Sequence, residues 1–340
     1  MNLMIISPGR RVDIVEYFKK EFHKRSGSIF TLDMTPYAAA LYSGDKYFVI
    51  NKDFNDLKAY VLDIIYICKN NNVDAVLSLV DPELEMLAEY RDLFIQNNIL
   101  PIVSLKEEAC FTFDKYLFFQ TMEGRLPVLP TFDNIDEVKK NLLKGRIKYP
   151  LFAKPRKGSG SAGIARIENV EQLNKYQNIR DFIYQPFGKS KEYGVDIYFD
   201  MKSHKIVNYF IKEKIAMRSG ETDKAISVTV PEIEKIVMSL EQFNFFGPID
   251  MDVFEDENHN FYINEINPRF GGGYPHAYNC GVDFIKYIAE NLAGNENKPE
   301  LGTYQRGIVM MKYNGLFFCK DTDLAEKTVL NNPSGEGILV

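Results

Sequence analysis

Short apolar runs alternate with amphipathic segments over the first hundred residues, and this alternation constrains the fold more than any other feature of the sequence. The predicted strands lie at residues 3–7, 28–34, 45–50, 74–80 and 99–104. The predicted helices between them lie at residues 12–22, 57–71 and 82–96. Strands that alternate with helices form a parallel sheet, and such sheets bind ligands at the carboxyl ends of their strands. The sequence therefore predicts an N-terminal α/β domain.

The loops at those carboxyl ends contain charged residues but lack a dinucleotide motif. Arg10 and Arg11 follow the first predicted strand, where they could hold a substrate carboxylate or simply form an exposed helix start. Asp81 and Glu83 could bind an amine, but Asp-Pro-Glu is also an ordinary way to begin a helix. No Gly-x-Gly-x-x-Gly follows the first strand, so a nicotinamide or flavin dinucleotide is not expected.

The pattern changes from about residue 111 onward. Prolines between residues 126 and 132 mark a connector, and predicted strands then follow one another through tight or glycine-rich turns. Consecutive strands joined in this way are typical of antiparallel sheets. We predict a second domain over residues 111–315, built around antiparallel strands. The first domain then covers residues 1–110, and residues 316–340 are left unassigned.

Two alternating apolar runs flank a polar segment within residues 247–270, which predicts a β-hairpin. Asn258 and His259 are suitable turn residues. A turn centred on them places Asp252 directly opposite Glu265. Two facing carboxylates repel each other unless a cation lies between them.

Side chains of the second hairpin strand continue this polar face. Because successive side chains of a strand point to opposite faces, Glu265, Asn267 and Arg269 share one face with Asp252. Carboxylate and amide oxygens suit Mg²⁺, and arginine suits a phosphate. Asp250 is on the same face and is an alternative metal ligand. Direct pairing with Glu265 favours Asp252.

Three consecutive glycines, at residues 271–273, follow this face. A solvated hairpin face is the alternative interpretation, since exposed strand faces are often polar. Glycines would weaken a segment that is only structural, but they allow the backbone to approach a ligand closely. They therefore favour a metal–phosphate site.

A second phosphate signal lies in "AKPRKGSGSAGIA". Lys154 lies in a predicted strand and the glycine-rich segment 157–163 follows it. Such a loop exposes consecutive N–H groups that can bind phosphates. It is not a Walker A loop, because Gly-Lys-Ser/Thr is absent, and taken alone it is more often an ordinary turn. Gln185 and Glu192, further along, could contact an adenine and a ribose, although Glu192 taken alone is a surface residue.

Together these segments resemble the ATP-grasp superfamily, and in particular single-module relatives of one half of the carbamoyl-phosphate synthase large chain. The most specific segment is "EINPRFGGGYPHAYNCGVDF", and "DPELEMLA", "DK" at 114–115 and "KGSGSAGIA" agree in order and spacing. The likeness extends to about residue 315. It implies a Rossmann-like pre-ATP-grasp domain followed by an ATP-grasp domain of two α+β lobes that hold ATP between them. The small mobile lobe would cover about residues 120–185 and the larger lobe about residues 186–315.

The resemblance also implies roles for individual residues. It implies ATP contacts at Lys115, Lys154, Gly158, Ser159, Gly160, Ser161, Gly163, Gln185, Phe187 and Glu192. It implies Mg²⁺ ligands, with Mn²⁺ as an alternative ion, at Asp252, Glu265 and Asn267. It implies catalytic contacts to the acceptor and the transferring phosphate from Arg218, Arg269 and Asn267. Gln185 departs from the family, which usually carries glutamate there, but its amide oxygen can still accept from an adenine amino group.

The implied reaction is an ATP-dependent ligation. A carboxylate attacks the γ-phosphate to form an acyl phosphate, and an amine or a thiol then displaces phosphate. The alternatives are a nucleotide-binding regulatory protein on an inactive ATP-grasp fold, and a carbamoyl-phosphate-synthase-like phosphorylating subunit. The expected partners are small carboxylates and amines. Many members of the family are dimers, so a homodimer is compatible with the resemblance.

Composition limits the other partners and the location. A net charge of −6 and a pI near 5.5 argue against nucleic acid or an anionic membrane as the main partner. Four widely spaced cysteines without Cys-x-x-Cys indicate reduced thiols. No run approaches the roughly 20 apolar residues of a membrane helix, and the N-terminal apolar run is too short for a signal peptide. We therefore expect a cytoplasmic protein.

Overall fold

The computed structural model describes residues 1–53, 56–158, 163–177 and 179–328. Its strands are β1 (Leu3–Ile6), β2 (Ile29–Asp33), β3 (Lys46–Val49), β4 (Ala75–Ser78), β5 (Leu100–Pro101), β6 (Leu151–Pro155), β7 (Ala165–Ile167), β8 (Phe182–Pro186), β9 (Lys189–Phe199), β10 (Ile206–Arg218), β11 (Glu221–Ser227), β12 (Gly247–Asp256), β13 (Phe261–Asn267) and β14 (Val309–Met311). Its α-helices are α1 (Val12–His23), α2 (Leu57–Asn70), α3 (Asp81–Glu89), α4 (Arg91–Gln96), α5 (Lys106–Phe113), α6 (Lys115–Met122), α7 (Ile135–Leu143), α8 (Val170–Asn174), α9 (Pro231–Ser239), α10 (Tyr274–Asn279) and α11 (Phe284–Leu292). Short 3₁₀ helices lie at Ala39–Ser43, Leu240–Gln242 and Asp321–Asp323.

The N-terminal sheet is parallel, as the alternation of strands and helices predicts. Its strand order is β3-β2-β1-β4-β5. Every residue of β1, β2 and β4 is buried, because helices and loops cover both faces of the sheet. The carboxyl ends of β1 and β4 carry the loops that contain Arg11 and Asp81.

The predicted helix over residues 82–96 is in fact two helices, α3 and α4. The backbone at Tyr90 has φ −97° and ψ 16°, which interrupts the helix. The guanidinium of Arg91 donates to the carbonyl oxygens of Pro101 and Val103 at 3.0 and 3.1 Å. These bonds fix the start of α4 beside β5 and account for the change of direction.

A six-stranded antiparallel sheet forms the larger part of the second half. Its order is β13-β12-β9-β10-β11-β14. The central strand β9 is buried continuously from Tyr193 to Phe199, because β10 and β12 flank it and α11 covers one face. Phe18 of α1 meets Phe270 edge-on at 5.7 Å between ring centroids. This contact joins the core of the large sheet to that of the N-terminal sheet.

A separate three-stranded antiparallel sheet, β7-β6-β8, carries Lys154 on its central strand. It packs with α7 around a small core of its own that includes Val138 and Leu151. The isolated pairing of Phe132 with Tyr184 connects the segment before α7 to β8. The small sheet is therefore placed beside the large one, with its lysine strand near the β12–β13 hairpin.

The segment after β14 returns to the N-terminal sheet. The ring of Phe317 stacks on Tyr42 at 5.0 Å, and the Thr328 N–H donates to the Val49 carbonyl at 2.7 Å. Part of the segment that the sequence leaves unassigned is thus an edge contact of β3, and residues 329–340 lie outside the described residues. The predicted domain limits stay predictions. Among the described helices, none has both the length and the apolar character needed to cross a membrane.

Candidate active site

A cavity of about 560 Å³ lies where the two sheets of the second half meet the N-terminal sheet. Its walls come from the start of α1, the β4–α3 loop, the small sheet, and strands β9, β10, β12 and β13 of the large sheet. The parallel sheet thus contributes the carboxyl ends of its strands, as expected for a ligand site.

The hairpin at the centre of this cavity has the predicted register. Asp252 pairs directly with Glu265, and the prediction of this pairing is confirmed. This pairing depends on a β-bulge in β13. On the turn side of the bulge Val253 pairs with Ile263, and Asn264 is the extra residue that shifts the register by one before Glu265. The bulge gives Asn264 a place in the cavity wall beside Glu265.

The polar face of the hairpin lines the cavity as a unit. The lining hairpin residues predicted from the sequence are Asp250, Asp252, Glu265, Asn267 and Arg269. Alternation of side chains along each strand accounts for the shared face. Whether these residues bind metal and phosphate stays a prediction.

Arg269 is held by two carboxylates from different parts of the chain. Its Nε donates to Asp81 Oδ1 at 2.8 Å and its Nη1 donates to Asp250 Oδ2 at 2.7 Å. Burial alone would lower the pKa of Arg269, but the two carboxylates raise it above its ordinary value. Asp250 is therefore bound by Arg269, just as Asp252 is bound by Lys214, so these ion pairs do not decide which aspartate would bind a metal; the direct pairing with Glu265 still favours Asp252. Asp81 is likewise occupied, which argues against its predicted binding of an amine.

Glu83, the other acidic residue predicted to bind an amine, is buried inside the N-terminal domain. Its carboxylate accepts from Ser7 Oγ at 2.7 Å, Ser78 Oγ at 2.5 Å and Tyr60 OH at 3.2 Å, and it pairs with Lys52. These bonds tie the ends of β1 and β4 together. Glu83 is a structural residue, and the prediction of an amine contact is wrong for it.

Lys214 bridges two of the acidic side chains in the middle of the cavity. Its Nζ donates to Asp252 Oδ1 at 2.6 Å and to Glu192 Oε1 at 2.8 Å, and Lys189 also pairs with Glu192. The pKa of Asp252 is raised to about 7. Burial is the main cause and nearby carboxylates add to it, whereas the positive charge of Lys214 acts in the opposite direction. Glu192 therefore belongs to this ion cluster, and its predicted ribose contact stays a prediction.

The donor set on the hairpin fits a hard divalent cation. Asp252 is destabilised as an anion by burial and by neighbouring carboxylates, so added positive charge would stabilise it. Within the part of the chain that the structure describes, Glu265 accepts one long bond, from Asn267 Nδ2 at 3.5 Å. Among the described residues no cluster of three His, Cys, Asp or Glu side chains could hold a metal ion. A bound Mg²⁺ would therefore rely on the Asn267 amide oxygen and on phosphate or water oxygens as well.

Two further lysines line the cavity and have no carboxylate within 4 Å among the described residues. The buried Lys154 Nζ donates to Asn264 Oδ1 at 3.3 Å, and Lys115 Nζ donates to the Gly158 carbonyl at 2.6 Å. Burial lowers the pKa of Lys154 to about 8. Of the predicted phosphate loop, Gly158 lines the cavity, whereas Ser159, Gly160 and Ser161 lie outside the described residues.

The part of the cavity wall predicted to contact an adenine contains Gln185, as expected, but not Phe187. Gln185 is buried, lines the cavity and donates from Nε2 to Thr131 Oγ1 at 2.8 Å, which leaves its amide oxygen available. Phe187 lies outside the cavity lining among the described residues and packs edge-on against Phe152 at 4.5 Å. The aromatic side chains of the lining are Phe152 and, from strand β12, Phe254. Gly163 also lies outside the lining, next to Pro155.

Arg218, predicted to contact the transferring phosphate, is placed away from the cavity. Its side chain is exposed at the end of β10, while Met217 and Ser219 line the wall. Strand β10 ends at Arg218, and Ser219 and Gly220 form the turn to β11. Arg218 is thus outside the cavity lining in this structure, and its predicted phosphate contact stays a prediction.

The three glycines after the hairpin accommodate the protein's own charged side chains. A Cβ on Gly271 would lie 2.4 Å from Asp250 Oδ1, and one on Gly272 would lie 2.9 Å from Glu221 Cδ. A Cβ on Gly273 would lie 2.8 Å from Lys212 Cε. The backbone of this segment thus approaches other groups closely, as predicted. Those groups are charged side chains of the protein's own ion pairs, so no ligand is needed to explain the three glycines.

Sequence reasoning missed Lys214, Glu221 and Asn264. A signal for Lys214 is present in "FIKEKI", where Lys212 and Lys214 interrupt an apolar strand at alternate positions. Two like charges on one face of a buried strand require carboxylates nearby. Nothing in the sequence marks Asn264, because a bulge has no fixed residue signature.

Comparisons with known proteins agree with this architecture. Residues 3–102 match the PylC-like N-terminal domain family, and residues 112–273 match the ATP-grasp domain family. The chain therefore combines a PylC-like N-terminal domain with an ATP-grasp domain. Its mixed fold of an N-terminal parallel sheet and an ATP-grasp domain is the predicted one.

Similar proteins include two groups of carboxylating enzymes. A curated N5-carboxyaminoimidazole ribonucleotide synthase from Staphylococcus haemolyticus is 24% identical over 61% of this chain, which spans about half (56%) of that protein's length. The N5-carboxyaminoimidazole synthetase structure from Staphylococcus aureus has a TM-score of 0.70 at 18% identity, covering 91% of this chain and 81% of that one. The biotin carboxylase domain of Hydrogenobacter thermophilus 2-oxoglutarate carboxylase has a TM-score of 0.72 at 18% identity, covering 91% and 73%.

Proposed function

We propose that this chain is an ATP-dependent ligase that joins a carboxylate to an amine, or alternatively to a thiol, through an acyl phosphate. The observation that supports this most directly is the convergence of one charged hairpin face and two lysines without carboxylate partners on a single cavity. Phosphoryl transfer depends mainly on positioning and charge neutralisation, and these side chains provide both.

The proposed first step is attack by an acceptor carboxylate oxygen on the γ-phosphorus of ATP. The new O–P bond forms while the bond from the γ-phosphorus to the bridging oxygen breaks, and ADP leaves with that electron pair. The amine then attacks the acyl carbon, inorganic phosphate leaves, and the amine nitrogen loses a proton. The enzyme needs no covalent nucleophile in either step.

Residues of the cavity have distinct parts in this scheme. Lys154 and Lys115 would hold the phosphates, and the Gln185 amide oxygen would accept from the adenine amino group. Asp252, Glu265 and Asn267 would hold Mg²⁺ or Mn²⁺, which would neutralise charge on the transferring phosphate. Arg269 would fix the hairpin against the N-terminal domain through Asp81 and would position the other groups.

The relatives support this reaction class. Their names include a synthase and a carboxylase, and an L-amino acid ligase from Bacillus licheniformis has a TM-score of 0.65 at 15% identity, covering 87% of this chain and 75% of that one. The biotin carboxylase structure holds MgADP and is described as a dimer. By analogy we propose ATP and Mg²⁺ as ligands, and a homodimer in the cytoplasm.

A coupled ADP-release assay tests the proposal. Purified protein is supplied with ATP, Mg²⁺ and a matrix of amino acids, small carboxylates and amines, and ADP formation is recorded for each pair. We expect ADP release that requires both an acid and Mg²⁺. Nucleotide binding without turnover across the whole matrix would reject the ligase and favour a regulatory nucleotide-binding protein.

A further inference from the structure

Arg11 occupies the end of the cavity that the N-terminal domain contributes. It precedes the first residue of α1 and lines the cavity next to the hairpin. Its Nη1 donates to the Phe270 carbonyl at 2.8 Å, which anchors one edge of the guanidinium. No carboxylate lies within 4 Å of it among the described residues, so Arg11 is a positive charge without an ion-pair partner.

The other cations at this end are already engaged. Arg269 is bound by two carboxylates, as described above. Arg10 is 70% exposed and pairs with Glu221 at 3.2 Å, and Lys312 pairs with the same carboxylate at 2.9 Å. Among the described residues of this end, Arg11 is therefore the cation whose charge is available to a ligand.

The chemistry of a guanidinium defines what it would bind. Arginine has five N–H donors in a planar fork, and a single bond to Phe270 leaves most of them unused. The fork matches a carboxylate with two parallel hydrogen bonds. Burial lowers the pKa of Arg11 to about 10, so the side chain remains protonated at neutral pH.

We propose that Arg11 holds the carboxylate of the acceptor acid and thereby makes the N-terminal domain the acceptor-binding part of the enzyme. This inference rests on the proposed function. Arg11 is adjacent to Arg269, and Asn267 lies two residues before Arg269 on the same face. A carboxylate on Arg11 is thus beside the predicted metal–phosphate site, where it can attack the γ-phosphate.

The surrounding acidic residues are neutralised by other cations. Asp81, Asp250 and Glu221 lie near Arg11 and line the same part of the cavity. Arg269 pairs with the two aspartates, and Glu221 pairs with two further cations at this end. These ion pairs leave the charge of Arg11 to a ligand, and the acceptor class that follows is a small carboxylic acid, amino acids included.

Substitution of the two neighbouring arginines tests this assignment. Arg11→Gln and Arg11→Lys are compared with Arg10→Gln, which removes an adjacent exposed charge. We measure the KM of each amino acid, acetate and succinate in the ADP-release assay, and MgADP affinity by calorimetry. Loss of a charge-assisted, two-bond contact predicts a KM increase of about 10²-fold in Arg11→Gln and a smaller one in Arg11→Lys. MgADP affinity should stay within about threefold, and Arg10→Gln should leave both values nearly unchanged.

Two outcomes would overturn the assignment: an acceptor KM unchanged in Arg11→Gln, or a loss of MgADP affinity as large as the loss of acceptor affinity. Direct binding of the same amino acids, followed by NMR without ATP, separates this inference from the proposed function. If the wild-type protein binds an amino acid and Arg11→Gln does not, the assignment holds even when no acid supports turnover. If no panel acid binds the wild-type protein, the assignment fails. Melting temperatures confirm that each variant is folded.

Discussion

Two regions of the same cavity each contain a buried lysine, and the pKa values of these two lysines are shifted in opposite directions. In the middle, Lys214 is bound by Asp252 and Glu192, and burial, which would lower its pKa, is outweighed by these carboxylates, so the pKa is raised. Beside Asn264, in contrast, the hydrogen-bond partner of Lys154 among the described residues is an amide oxygen, and burial is the main cause that lowers the pKa of this lysine to about 8. Both lysines are almost inaccessible to solvent.

The difference separates scaffold from binding site. A buried charge whose partners come from the protein adds rigidity, and removal of one partner leaves the other desolvated. A buried charge without a partner is unfavourable in the free protein and becomes favourable when a ligand of opposite charge binds. On this basis we propose that Lys154 and Arg11 bind ligands, whereas Lys214 and Arg269 mainly hold other groups in place. Glu265, which accepts one long bond from the described residues, is the corresponding unengaged carboxylate.

Glu265→Gln provides the strongest test of this comparison. It keeps the size of an unengaged side chain but removes the charge proposed to bind Mg²⁺. We expect turnover to fall by at least about 10²-fold, with folding intact because little protein hydrogen bonding is lost. Steady-state ADP release and the melting temperature are the measurements. Glu257→Gln, at the exposed tip of the same hairpin, is the matched control and should retain full activity. Full activity in Glu265→Gln would refute the metal assignment.

A paired substitution, Lys154→Met and Lys214→Met, tests the two lysines against each other. Lys154→Met should weaken ADP binding by about 10²-fold and leave the melting temperature unchanged or higher, because it removes an unfavourable buried charge. Lys214→Met leaves Asp252 and Glu192 without their shared ammonium, at a cost of about 3 kcal/mol. This corresponds to a melting temperature lower by several degrees.

Calorimetric titration with ADP and thermal melts without nucleotide provide both readouts. Lys144→Met, on an exposed helix end, controls for loss of a surface lysine. Equal destabilisation by Lys154→Met and Lys214→Met would show that the distinction between the two regions has no energetic basis.

Much of the fold follows from sequence patterns because those patterns are long and periodic. The strand–helix alternation over residues 3–104 identifies the parallel sheet, and the apolar alternation of residues 247–270 identifies the hairpin. Helices α5, α7 and α8 and strand β11 were not predicted. They are short, and their positions depend on neighbouring elements more than on their own periodicity.

The candidate site is less predictable because it depends on which charges find partners. The face of Asp252, Glu265, Asn267 and Arg269 follows from strand alternation alone. The ion pair between Arg269 of this face and Asp81 joins residues that are 188 positions apart in the sequence, so local spacing cannot predict it. The glycines at 271–273 correctly predict that other groups lie close to the backbone. The sequence does not indicate that these groups are charged side chains of the same chain.

The last and smallest effect concerns pH, and it uses Lys154 alone. The pKa of Lys154 is lowered to about 8, mainly by burial and also by the nearby charge of Lys115, against the opposing effect of Glu265, Asp252 and Glu192. Phosphates bind the protonated lysine, so ADP affinity is complete below pH 8 and declines as pH rises through that value. Between about pH 7.5 and pH 9 we expect a decrease of roughly tenfold in ADP affinity by calorimetry. In Lys154→Met the same titration should be nearly flat. An equal pH dependence in that variant would assign the titration to another group and would remove the energetic argument for Lys154 as an unpaired, ligand-directed charge.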